Sequence, residues 1–187
     1  GLREEWSIHR PDSTRARDSA MLLPVAYPSA AMKQFPVAVI IEKTYLDNRW
    51  VSENWEAIGV VPAFDADPAA ATPRRIVAEA DREQFLSGHF PLELFRDEVD
   101  NSHLNLTSPE PRVFVMWRME DDFPRPVSVT LSYGEAARWL DSGEQCDGVA
   151  MPPEIADWLG DFVNTHYKPA VRHKVKRNDP FAGKRQP

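Results

Sequence analysis

Apolar and polar positions change their rhythm along the chain. Residues 1–34 are polar, carry scattered Pro and Ala, and show no period. From Phe35 the apolar residues gather into short runs. "FPVAVIIEKTY" is rich in β-branched residues and ends at Leu46-Asp47-Asn48, which predicts a strand. Val37, Val39 and Ile41 fall on one face, Ala38 and Ile40 on the other. Both faces are apolar, so this strand is expected to be central and covered. "WEAIGVVP" predicts a second strand stopped by Pro62. Period 2 puts Trp55, Ala57, Gly59 and Val61 on one face and Glu56, Ile58 and Val60 on the other. The connection "LDNRWVSEN" is polar, has a good turn pair in Asp47-Asn48, and leaves Trp50 near a loop.

Further on, "RRIVAEA" fits either a strand or one helical turn. "EQFLSGHFPLELF" fits a strand in which Gly88 and Pro91 imply a bulge or an edge. "RDEVDNSHLNLTSPEP" reads as a polar insertion with a short strand at "HLNLT". "RVFVMWRM" is the strongest strand signal of the chain, and "VSVTL" comes after it. The rhythm then turns helical. Ser132 with Glu135 three residues on has the capping-box spacing, and Gly143 is placed as the C′ residue. Tyr133, Ala136, Ala137 and Leu140 share one face of that helix. A second helix comes next, with Pro153 at its first position and a stripe of Ile155, Trp158, Leu159, Phe162, Val163 and His166. Strands first and helices last predict an α+β fold: an antiparallel sheet, strongly curved or barrel-like, followed by two C-terminal helices. The domain plan is an arm at 1–34, one globular domain at 35–167 and a tail at 168–187.

Charge sharpens this plan. The net charge is −7. Residues 168–187 hold seven basic side chains against Asp179 alone, a net of +6 that leaves −13 for residues 1–167. An acidic body with a basic tail calls for a docking explanation. The body's own charge opposes nucleic acid as the partner, and the tail lacks interleaved aromatics, so nucleic acid is set aside. No apolar run is long enough to span a membrane. "MLLPVAYPSAAM" imitates an export signal, but Pro24 and Pro28 break it and Asp12 and Asp18 dilute its basic lead-in. Cys146 is the one cysteine, so an intramolecular disulfide is impossible and the cytoplasm is the default location.

Candidate chemistry is thin. The glycines form no phosphate-cradling loop. His9, His89, His103, His166 and His173 include no pair at ligand spacing, and there is no CxxC. Cys146 lies beside Glu144 and Asp147, which raise a thiol pKa. No catalytic residue, metal ligand or cofactor is assigned. Trp55 is expected in the core. Trp50 fits the core less well, and with Arg49 it has the composition of an interface anchor. Lys174, Lys176 and Arg177, with Phe181 as an apolar anchor, are the candidate contacts of the tail.

Three stretches, "FPVAVIIEKTYLDNRWVSENWEAIGVVP", "FPLELFRDEVDNSHLNLTSPEPRVFVMWRM" and "VTLSYGEAARWLDSGEQCDGVAMPPEIADWLGDFVNTHY", together resemble a bacterial domain-of-unknown-function family, number three-three-zero-five. "NRWVSENWEAIGV" and "SYGEAARWLDSGE" are the most specific parts. Genes of that family often neighbour those of molybdenum formate dehydrogenases. The resemblance therefore implies a cytoplasmic accessory or small subunit whose partner is a formate dehydrogenase subunit. The alternative it implies is a small-molecule-binding protein or enzyme of molybdenum cofactor handling, with a pocket lined from Arg112, Arg118, Glu93 and His89.

Overall fold

A computed structural model describes residues 33–47, 49–65 and 72–169. Their order is β1 (Lys33–Tyr45), β2 (Glu53–Pro62), β3 (Arg74–Ala78), β4 (Arg82–Leu94), a 3-10 turn at Arg96–Glu98, α1 (Val99–Leu106), β5 (Arg112–Glu120), β6 (Phe123–Thr130), α2 (Tyr133–Asp141), β7 (Gln145–Ala150) and α3 (Pro153–His166). The fold is α+β. Two antiparallel sheets run β2-β1-β4-β3 and β6-β5-β7. The expected single sheet is thus two, not closed into a barrel, and the described residues hold three helices where two were expected.

One interior serves both sheets. Val37, Val39 and Ile41 of β1, with Leu92 and Leu94 of β4, meet Val113, Val115 and Trp117 of β5, and α3 adds Ile155, Leu159, Phe162 and Val163. The expected stripe of α3 is the buried one, with Pro153 in its first turn. β1 is central, as its two apolar faces require. β5 is covered on both sides, because Phe114 and Met116 are buried on the face opposite Val115, and Phe114 packs against Tyr133 of α2. At the end of β1 away from α3, Trp55, Phe85 and Phe123 bring three strands together with ring centroids 5.1–5.8 Å apart.

Strict alternation fails at four places, each time by one extra residue. The register skips Ile58 in β2, Ile76 in β3, His89 in β4 and Val127 in β6. Each bulge reverses the facing of the residues beyond it. Trp55 and Ala57 face inward before Ile58, and Val60 rather than Val61 faces inward after it. The expected Trp55–Ala57–Gly59–Val61 face is corrected accordingly. Ile58, Ile76 and Val127 are all exposed aliphatics. A bulge residue belongs to neither pleat, so its side chain is left at the surface.

Prolines explain one open boundary. Pro36 and Pro91 are directly opposed, and the Pro36 carbonyl accepts from Ala63 N on the β2 side. Their backbones therefore point away from each other, and Pro91 faces the outer edge of β4, beyond the reach of β3. In the edge strand β6, Pro124 and Pro126 oppose Met119 and Trp117. A proline keeps its place in a strand only where the missing N–H would point outward. Hence β4 and β6, which lie side by side, lack donors where a ladder between them would need them.

Two elements differ from expectation. Residues 96–111 hold α1 rather than a strand at "HLNLT". Its inward positions include Ser102 and Asn105, both buried, so the helical period does not show as apolar residues. Asn105 Nδ2 donates to the carbonyls of Arg112 and Leu131 at 2.7 and 2.8 Å, and its Oδ1 accepts from Arg112 N at 2.9 Å. β7 occupies the stretch expected to be a plain connection between helices. On α2, Ala136 is buried whereas Ala137 and Leu140 are exposed, against the expected face. Its cap is the expected one: Ser132 Oγ accepts from Glu135 N at 3.2 Å, and Gly143 has φ +80°. The return half of the box is relayed, because Glu135 Oε2 accepts from Thr130 Oγ1 at 2.6 Å while that hydroxyl accepts from Ser132 N at 3.2 Å.

Candidate interaction surface

The β1–β2 end of the molecule combines a braced stem with an exposed tip. In the stem, Tyr45 N donates to Asp81 O at 2.9 Å, which ties β1 to the β3–β4 turn. The Tyr45 hydroxyl donates to Glu83 Oε2 at 2.6 Å, and Arg75 Nη1 donates to Glu83 Oε1 at 2.8 Å. These two bonds hold the Glu83 carboxyl below its usual range, and the bond to Glu83 pushes the Tyr45 phenol up. Lys43 pairs with Glu53, whose hydrogen bond raises the Lys43 pKa. The Lys43 ammonium also lies 5.0 Å from the Tyr45 ring centre and 5.1 Å from that of Trp55. Such surface pairs add little stability one by one. Their effect here is to fix the direction in which the connection leaves the sheet.

Leu46 N donates to Ser52 O at 3.0 Å and closes the connection. Beyond that bond Trp50 stands 84% exposed, and Tyr45, Leu46 and Val51, near it in the chain, are exposed too. The Arg49 guanidinium carbon lies 5.5 Å from the centre of the Trp50 ring, within cation–π range. Trp50 is thus outside the core, with its chain neighbour Arg49 against its ring. Tyr45, Leu46 and Val51 were missed as their neighbours. The available signal was two apolar residues, Leu46 and Val51, inside an otherwise polar turn. Trp55, by contrast, packs on the core. The other candidate contacts, Lys174, Lys176, Arg177 and Phe181, lie outside the described residues.

The remaining chemical candidates are dispersed. Arg112 lies at the β2–β7 boundary, bonded to Glu110 and to the carbonyl of Gly148 at 2.8 Å. Arg118 forms a two-pronged pair with Glu144. Glu93 lines a hollow of about 230 Å³ between β4 and β6, and His89 lines another on the outer face of the four-stranded sheet. The four residues expected around a shared pocket therefore do not line one. His103 stacks on Tyr167 at 3.8 Å. Among the described residues no three His, Cys, Asp or Glu side chains gather as a metal site. Cys146 lies half-buried in β7; burial, then the Asp147 charge, pushes its thiol up to about 11.

The family model described as "Protein of unknown function (DUF3305)" matches residues 36–177, and the chain belongs to that family. The match takes in the whole described fold from early β1 and continues past Tyr167 into the basic segment. A search of the curated proteins and a search of the solved structures each give no match. Among the described residues no helix is long and apolar enough to cross a membrane.

Proposed function

We propose that this protein is a non-catalytic accessory protein or small subunit that docks on a molybdenum formate dehydrogenase subunit in the bacterial cytoplasm. The observation that supports docking most is the 84% exposure of Trp50. An indole held outward beside an arginine costs solvation in the free protein, and that cost is recovered when a partner buries it. The stem of Tyr45, Glu83, Arg75, Lys43 and Glu53 braces the strands from which the tip projects, and a braced base lowers the ordering cost of binding. The basic tail is the second contact in this reading, supplying salt-sensitive attraction through Lys174, Lys176 and Arg177 and an apolar anchor through Phe181. The choice of partner rests on the family resemblance alone.

The test is capture of the dehydrogenase from native lysate by the tagged chain. Trp50→Ala is expected to reduce capture by about tenfold or more, on the order of a 1.4 kcal/mol loss, with the melting temperature unchanged. Capture that is indifferent to Trp50 removes the tip from the interface. A free monomer in lysate, with formate oxidation unaltered in a deletion strain, removes the whole reading. A thermal shift with a pterin or guanine nucleotide would instead favour a role in molybdenum cofactor handling.

A further inference from the structure

Ser87 of β4 is buried, 3% exposed, and its hydroxyl makes no hydrogen bond among the described residues. Buried polar side chains are nearly always bonded, so this exception needs a reason. Ser87 opposes Val39 of β1 and therefore faces the interior side of its sheet. There it borders a hollow of about 320 Å³ between β4 and β6. Gly88, His89 and Phe90 continue the β4 wall, and Arg125 and Pro126 form the β6 wall.

The polar groups that meet at this hollow are donors. Leu86 turns its backbone to β3 at Arg74, where β3 begins. Gly88, two residues on, turns the same way and has no strand to pair with, so its N–H is left at the edge that borders the hollow. Arg125 is held loosely. Its closest approach to Glu120 is 3.3 Å, from Nε, against 2.8 Å for the matching atom of Arg118 to Glu144. Among the described residues no carboxylate borders the hollow, although the body of the protein is acidic. We propose that the hollow binds a small oxyanion, a carboxylate or a phosphate group. It takes hydrogen bonds from the Ser87 hydroxyl and the Gly88 N–H, countercharge from Arg125, and a third donor from the His89 imidazole. Trp50 takes no part in this site, so the proposal does not rest on the docking role.

The test is a titration of the isotope-labelled full chain with sodium phosphate and, separately, with sodium acetate, followed by amide NMR against sodium chloride at matched ionic strength. The Gly88 and His89 signals are expected to shift along a saturating curve in the millimolar range, while those of Ser52 and Val163 stay in place. Saturation by phosphate alone assigns the hollow to phosphoryl groups, and by acetate alone to carboxylates. Ser87→Ala and Arg125→Gln should each weaken binding by about tenfold. Arg125 is exposed, so its variant keeps the fold and carries the test if Ser87→Ala does not fold. No saturation with either anion, the same shifts with chloride, or binding unchanged in Arg125→Gln overturns the proposal.

Discussion

Between β2 and β7 a carboxylate joins the two sheets; between β4 and β6 prolines keep them apart. Asp147 Oδ2 accepts from Ala57 N at 2.8 Å and from Trp117 Nε1 at 2.7 Å. One oxygen thus satisfies a backbone donor of one sheet and an indole of the other. The facing edges of β4 and β6 instead withhold donors at Pro91, Pro124 and Pro126. The first boundary is stitched by a side chain, so it is specific and sensitive to one residue. The second is guarded, so it tolerates change in the fold but resists pairing. Two sheets that share a core need not share a ladder, provided every edge group has a partner or water.

The comparison breaks most visibly at Asp147. Asp147→Ala leaves two buried donors unmet at about 1–3 kcal/mol each, and water entry recovers part of that, so a loss of about 2–4 kcal/mol is expected in chemical denaturation. Asp147→Asn should cost less, because an amide oxygen can accept from the same two donors. Equal losses for the two would mean that charge, not bonding, holds the boundary.

The tryptophans sharpen it next. Trp117→Phe removes the indole donor from Asp147 and is expected to cost about 1–2 kcal/mol. Trp55 Nε1 is buried with no hydrogen-bond partner among the described residues, so Trp55→Phe loses ring volume but no hydrogen bond and should cost less than Trp117→Phe. Similar costs at both positions would show that ring size rather than the Asp147 bond matters at Trp117.

A smaller effect belongs to Cys146, next to the stitch. Its folded pKa of about 11 lies above the ordinary 9.0. The folded state holds this proton more tightly, so the linked stability is complete below pH 9 and is lost as pH rises toward 11. Cys146→Ala should remove that component from the stability–pH curve. Asp147→Asn should let the thiol alkylate at lower pH than in the parent, since it deletes the second cause of the shift.

The smallest change in stability is expected at the guarded boundary. Pro126→Val restores an outward N–H and should stay within about 0.5 kcal/mol of the parent. Its effect should appear as concentration-dependent self-association in light scattering. A variant that remains monomeric at high concentration would mean that the edge is protected by something other than its prolines.

Much of this molecule was readable from local patterns. β1 and β5 announced themselves because both of their faces are apolar. α3 did so by its stripe, and α2 by Ser132, Glu135 and Gly143. Trp50 beside Arg49 stood out because an indole has no reason to sit in a polar turn. The rest was hidden because its logic lies between elements. α1 turns Ser102 and Asn105 inward, and only the carbonyls of Arg112 and Leu131 make that sensible. β7 has little strand propensity and exists because β5 offers it an edge. The faces of β2 and β4 reverse at Ile58 and His89, and an extra residue is visible only against its partner strand.

By itself, then, the sequence determined the α+β class, the central strands, the caps and the charge division between body and tail. Each depends on residues within a few positions of one another, or on composition. The tertiary structure alone decided that there are two sheets, which bulges turn Val60 in and Val61 out, and that Asp147 joins the boundary that prolines leave open elsewhere. Those outcomes depend on which backbone donors face one another across distant segments, and a one-residue slip in register changes them all.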